Sequence, residues 1–235
     1  MDSMQDQKKY TIEEFDMKMI TENLYDDLHQ WTKEFINRIC IVRKPEGMPG
    51  KLPGTVYTWQ FYLRRGLFHP DFASAIAQMF YYKVYKEVGH FNFQIAGLET
   101  ASTPMLATIP LVGKALDIDL TAYSIRKEQK KYGLCNWIEG IPNEKPTMII
   151  DDLCNSSASM KQAHDILLHE KRSIFDYAFC IVNKNARDNN LERVTDKYLP
   201  DSIRMIYLFD LNDFDTRMRT RKAPSINNNS SKATL

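Results

Sequence analysis

Two adjacent carboxylates, Asp151 and Asp152, close the apolar run "TMII", and a string of small residues follows them: Asn155, Ser156, Ser157, Ala158 and Ser159. Acids at the end of a strand followed by the start of a helix offer two kinds of chemistry side by side. In a parallel sheet, ligands gather at the carboxyl ends of the strands. A helix start presents unpaired N–H groups and a partial positive charge, which together suit phosphate. The acids repel phosphate. They can instead accept hydrogen bonds from sugar hydroxyls or hold Mg²⁺ through water. A sugar phosphate carrying a metal ion fits both halves. The same residues would also serve a plain turn, with Asp and Ser as caps and turn formers. A Walker-type nucleotide site is set aside, because "GMPGKL" has neither the spacing nor the hydroxyl residue that a phosphate-cradling loop needs.

Two further segments have related chemistry. In "AGLETASTP" a strand ends at Gly97, and Glu99, Thr100, Ala101, Ser102 and Thr103 precede a helix, forming a second loop of small residues. In "IRKEQKKYG" the cations Arg126, Lys127, Lys130 and Lys131 crowd a loop that Gly133 lets bend. Singly, the first is an ordinary strand-to-helix turn and the second a solvated charge run. Together with the acid pair, a cationic loop is what could lie over a polyphosphate and stabilise its departure.

These segments need a scaffold, and the pattern predicts an α/β layer with a central, mostly parallel sheet flanked by helices. "TIEE" has the form of a capping box with Thr11 as N-cap, and helical spacing from Ile12 through Trp31 and Phe35 predicts one long helix to about Arg38, with both aromatics in the core. "RKPEGMPGKLPG" predicts a loop, since it holds three prolines and three glycines. "TVYTWQFYLRR" reads as a strand, and "HPDFASAIAQMFYYKVYKEVG" as a helix with Gly89 just past its end. Beyond residue 91, strands "FNFQIAG", "DLTAYSIR", "TMIIDD", "FDYAFCIVN" and "IRMIYLFDL" alternate with helices "PMLATIPLVGKAL" and "SMKQAHDILLHEK". The expected organisation is an N-terminal helix and hood over residues 1–65, an α/β core over 66–216, and a polar, disordered tail over 217–235.

The 235 residues carry 31 Lys and Arg against 30 Asp and Glu, so no global field draws the chain to nucleic acid or to an acidic membrane. No apolar run approaches the roughly 20 residues of a membrane span. The opening "MDSMQDQKKY" has no apolar core, so no secretory signal is expected. Cys40, Cys135, Cys154 and Cys180 form no C-x-x-C pair and read as buried thiols of a reducing, cytoplasmic compartment. The five histidines show no ligand spacing.

Taken together, the three segments resemble the type I phosphoribosyltransferases, most of all orotate phosphoribosyltransferase. "TMIIDDLCNSSASM" is similar to that superfamily's signature for 5-phosphoribosyl-1-diphosphate (PRPP), and "IRKEQKKYG" with the downstream Ile138-Glu139-Gly140 is similar to the orotate enzyme's catalytic loop. "GLETASTPMLA" resembles the pyrophosphate loop, and "TWQFYLRR" the aromatic strand of the hood; the likeness runs over roughly residues 50–185. The resemblance implies a pentosyl transferase acting on PRPP and a pyrimidine or related base. Asp151 and Asp152 would bind the ribose hydroxyls, and Asn155, Ser156, Ser157, Ala158 and Ser159 would wrap the 5-phosphate. Glu99, Thr100, Ala101, Ser102 and Thr103 would meet the pyrophosphate and its Mg²⁺, an ion carried by PRPP with no direct protein cage. Arg126, Lys127 and Lys130 would lie over the leaving group, with Trp59, Phe61 and Lys184 near the base. The family also implies a homodimer with a shared active site.

The chain departs from that pattern at three places. Ser157 and Ala158 stand where the phosphate loop usually carries Gly and Thr, which predicts a strained or enlarged loop. Tyr132 stands where the catalytic loop usually has His. Asn183-Lys184 replaces an Asp-Arg pair, and Lys is no substitute for a planar guanidinium fork. Two alternatives stay open: a PRPP-binding regulatory protein of the same fold, and a transferase for a different base.

Overall fold

The structure, a computed structural model, describes residues 20–50, 56–129, 136–184, 199–200 and 202–214. Thr11, the region around it and the tail beyond 214 lie outside these residues. The single helix expected from Ile12 to about Arg38 is corrected: helix α1 (Glu22–Phe35) starts afresh from an extended N-cap at Thr21, whose Oγ1 accepts from the Leu24 N–H at 3.2 Å. It passes into a π-helical turn (Ile36–Cys40). The expected core position of Trp31 is corrected: its side chain is 39 % exposed, and Phe35 is the aromatic that reaches inward, packing on Phe72. Helical spacing marks a face, but α1 has only helix α3 and the edge of the sheet to bury against.

The expected loop is also corrected over residues 43–49, while residues 51–54 of it lie outside the described residues. Strand β1 (Ile41–Pro49) pairs antiparallel with β2 (Val56–Phe61), with the register broken between Arg43 and Met48. Both strands of a two-stranded ribbon have a free edge, so prolines there need not remove a ladder hydrogen bond. Gly47 sits inside the irregularity at φ 98°. This ribbon is the hood, and a short helix α2 (Arg64–Leu67) pins it down. Leu63, Gly66 and Leu67 are buried, and Gly66 has no room for a side chain beside the Phe72 ring.

Helix α3 (Pro70–Val88) begins with Pro at its first turn and ends at Gly89, left-handed at φ 81°, as its sequence predicts. The remaining elements alternate: β3 (Gln94–Leu98), α4 (Thr103–Ala115), β4 (Ala122–Ile125), β5 (Ile138–Glu139), β6 (Thr147–Cys154), α5 (Ala158–His169), β7 (Ile174–Asn183) and β8 (Arg204–Asp210). They build a six-stranded sheet in the order β5-β4-β3-β6-β7-β8, parallel throughout except for β5. One face carries α3 and α4, where Phe80, Met105 and Ile109 bury against Ile95, Ile150, Phe179 and Ile181. The other face carries α5, where Met160, Ala163 and Leu167 meet Ala96, Ile149, Ala178 and Cys180. Burial on both faces is why these strands read as continuous apolar runs. Cys40, Cys154 and Cys180 are buried free thiols, while Cys135 lies outside the described residues. No helix among the described residues is long and apolar enough to cross a membrane.

Candidate active site

Strands β3, β4 and β6 lie side by side and parallel, so the loops after them open at one edge of the sheet. Those loops are the three segments singled out by their chemistry. The sheet brings them together, although 28 residues of chain separate Glu99 from Lys127.

The acid pair does not cap a strand end. Strand β6 runs two residues past it, because β7 is long enough to pair Leu153 with Val182 and Cys154 with Asn183. Asp151 is buried, at 8 % exposure, and Asp152 is half-buried. The Asp152 backbone N–H donates to Asp151 Oδ1 at 2.9 Å. Both carboxyls are held above the ordinary carboxylate range, and burial is the first cause in each case. For Asp151 the charge of Asp152 comes second. For Asp152 the hydrogen bond to Asp151 and then the charge of Arg64 pull back. Arg64, on α2, was assigned no role from sequence; the acid pair therefore meets one cation from the hood.

Beyond Cys154 the chain turns through Asn155, Ser156 and Ser157 into α5. Ser157 has φ 54°, the left-handed conformation that favours glycine, which is the strain its place in the loop predicts. It is buried, and its Oγ lies 3.1 Å from Cys154 Sγ. The Cys154 thiol is lowered to about 7, first by its hydrogen bond with the Cys180 thiol, with burial opposing and Ser157 assisting. With its hydroxyl turned to sulfur, Ser157 makes no side-chain cap on α5, and no acidic residue occupies the first turn of that helix. The residue at the N-cap position therefore takes none of the opening amides of α5 with its side chain. Ala158 and Ser159, both exposed, are its first residues.

The loop after β3 is equally specific. A Cβ on Gly97 would lie 2.4 Å from the Ile150 carbonyl oxygen and 2.6 Å from Ser102, so only glycine lets β3, β6 and this loop approach so closely. Ser102 is buried and donates its hydroxyl to the Leu98 carbonyl at 2.6 Å, which holds the turn rather than facing a ligand. The Glu99–Thr100 peptide bond is cis. Thr100 and Thr103 are exposed and Ala101 is half-buried.

At the start of the cationic segment, Arg126 Nη1 lies 3.1 Å from Glu139 Oε1 and 4.0 Å from Glu99 Oε2. The Lys127 backbone N–H donates to Glu99 Oε1 at 3.3 Å, leaving its side chain exposed. Arg126 is therefore a tied cation and Lys127 an outward one. Lys130, Lys131 and Tyr132 lie outside the described residues. On the hood side, the Lys184 ammonium sits 5.5 Å from the centroid of the Trp59 ring, and the Lys184 backbone N–H donates to the Cys154 carbonyl at 2.9 Å. Hood and acid strand thus meet at Lys184. Phe61 is buried between Trp59 and Phe214 and belongs to the packing under the hood.

The fold is that of the type I phosphoribosyltransferases. A phosphoribosyltransferase from Corynebacterium diphtheriae superposes with a TM-score of 0.61 at 16 % identity, over 80 % of this chain and 98 % of that one. Orotate phosphoribosyltransferase of Mycobacterium tuberculosis H37Rv, in its complex with PRPP, superposes with a TM-score of 0.54 at 13 % identity, over 80 % of this chain and 91 % of that one. In sequence, the chain is similar to an orotate enzyme over part of its length. It is 30 % identical over 105 residues to orotate phosphoribosyltransferase of Rhodopirellula baltica, 43 % of this chain. The match spans about half, 54 %, of that relative's length. No family model matches the sequence.

Proposed function

We propose that the chain transfers the 5-phosphoribosyl group of PRPP to a pyrimidine or related base and releases pyrophosphate. The observation that carries this reading is the acid pair of β6, one carboxyl buried and one half-buried, set beside a helix start whose N-cap side chain makes no capping bond, at the same sheet edge. Ionised carboxylates accept hydrogen bonds from the ribose hydroxyls, and the first amides of α5, with Asn155, Ser156 and Ser159, receive the 5-phosphate. The bond from ribose C1 to the pyrophosphate oxygen breaks, and its electron pair leaves on that oxygen. A lone pair on the base nitrogen forms the new bond to C1. Negative charge grows on the leaving group, where the exposed Lys127 supplies a cation. The base would sit where Trp59 and Lys184 meet, an aromatic face beside a positive charge. That combination suits an acidic pyrimidine.

Mg²⁺ would join through the substrate. Among the described residues no three His, Cys, Asp or Glu side chains converge on a metal position. Asp151, Asp152 and Glu99 are hard oxygen donors, and two neighbouring carboxyls that meet one cation from the hood are of the kind a divalent cation relieves. A cation with one or two protein carboxylates and the remaining oxygens from phosphate is the usual Mg²⁺ arrangement. When bound, it supplies positive charge at the leaving oxygens.

One observation favours a second reading, a PRPP-binding regulator with little turnover: Ser157 holds the phosphate turn in a left-handed conformation. A pyrophosphate-release assay with PRPP, Mg²⁺ and a panel of nucleobases separates the two. Release that depends on orotate, or on one other base, supports transfer and names the acceptor. Tight PRPP binding with no release for any base selects the regulator.

A further inference from the structure

Gln162 lies on the exposed side of α5, one turn into the helix whose start is the proposed phosphate site. Its Nε2 donates to the Lys127 carbonyl at 2.9 Å, across 35 residues of sequence. The N–H of the same Lys127 is held by Glu99 at 3.3 Å, from the loop after β3. The backbone of the residue before it is also fixed, with the Arg126 N–H donating to the Trp137 carbonyl at 2.9 Å. Residue 127 is thus gripped on both sides of its own Cα. Its N–H is tied to the loop proposed for pyrophosphate, and its C=O is tied to the helix proposed for the 5-phosphate.

We propose that Gln162 is a positioning residue: it fastens the backbone of Lys127, at the start of the cationic loop, to the phosphate helix, so that the Lys127 ammonium is aimed at the leaving pyrophosphate. The inference rests on the phosphoribosyl-transfer reading. A side chain that can swing through several ångströms contributes to the transition state only while its Cα is held, and small misplacements cost large factors in rate. Gln162 has no evident packing duty, since it is exposed and surface substitutions of this kind cost a fold little. Its one described polar contact is the bond to Lys127.

The test compares Gln162→Met, which keeps the length but has no donor, with Gln162→Lys, which restores a donor. Two readouts are taken on the full chain: hydrogen exchange of the peptide containing the Lys127 amide, and steady-state kinetics with PRPP and the acceptor base. The expected result for Gln162→Met is Lys127 exchange several-fold faster, kcat reduced roughly tenfold and PRPP affinity within about twofold of the parent, on the scale that losing one hydrogen bond allows. Gln162→Lys is expected to recover most of both. Unchanged exchange and unchanged kcat in Gln162→Met would overturn the proposal, and so would an equal loss in kcat and in PRPP affinity, which would mark a contact with substrate itself. If the parent protein neither binds nor turns over PRPP, the transfer reading falls by itself; the fastening is then judged by exchange alone, which supports it if faster and refutes it if unchanged.

Discussion

At the residue scale the site is built from groups that burden the fold. The Asp151 carboxyl is buried beside a second carboxyl and is held above its ordinary range by burial first and by Asp152 second. A carboxyl whose pKa is raised on folding adds stability that is fully present below the unfolded value and is lost as pH rises through the folded one. Without ligand, Asp151→Asn is therefore expected to stabilise the protein at neutral pH by on the order of 1–2 kcal/mol, the scale of relief seen when strained functional positions are changed. The gain should shrink toward zero as pH falls to about 4, where the unfolded Asp also protonates. Chemical denaturation at pH 7.5 and near pH 4 checks it, and a variant less stable than the parent at the higher pH would contradict it. Ser157 is a second burden of the same kind. Ser157→Gly removes a left-handed strain of about 1 kcal/mol and loses the hydroxyl–thiol contact with Cys154, so it is expected to be neutral to slightly stabilising, with PRPP bound at least as tightly. A loss above about 1 kcal/mol on denaturation, a typical value for one hydrogen bond, would show that the contact with sulfur outweighs the strain. The strain at Ser157 was legible beforehand, because the family resemblance put a non-glycine residue at a glycine position. The grip of Gln162 was not, since an exposed glutamine mid-helix carries no signal until the sheet has placed α5 against the loop after β4.

At the element scale, what could be read from the sequence depended on whether the forces shaping an element were local. Strands β6, β7 and β8 declare themselves as apolar runs because both faces of the sheet are covered. Helix α3 declares itself through its opening proline and closing glycine. Strand β1 does not, because Pro45, Gly47 and Pro49 are turn residues in any local reading, and only the pairing with β2 keeps that segment extended. The two-residue strand β5 is shorter than any pattern, and the extension of β6 beyond Asp152 depends on the length of its neighbour. Close approach of elements is likewise invisible locally, and Gly97 is where it matters most. Gly97→Ala would drive a Cβ against the Ile150 carbonyl and Ser102, both fixed by their own strand and turn. A loss of about 2–3 kcal/mol by urea denaturation is expected, in the range of overpacking a rigid core, together with weakened pyrophosphate binding. A loss under 0.5 kcal/mol would mean that β3 and β6 can part at no cost.

At the scale of the whole molecule, the hood and the core are two pieces of chain that the structure joins over one edge of the sheet. The joint is made by α2, sunk into the core through Leu63 and Leu67, and by Lys184, which reaches Trp59 from the end of β7. The overall architecture was legible because alternating strands and helices allow few arrangements. The likeness to orotate phosphoribosyltransferase agrees with that architecture and leaves the base open, since the identity to that relative is 30 % over 43 % of this chain. In the proposed reading, the acid pair of β6 holds the hydroxyls of a ribose whose phosphate rests on the start of α5. Titration calorimetry of PRPP with Mg²⁺ into the parent chain and into the Asp151→Asn, Asp152→Asn double variant tests it most directly. The account predicts binding by the parent and none detectable by the variant, with the variant still folded; equal affinity in the two would contradict it.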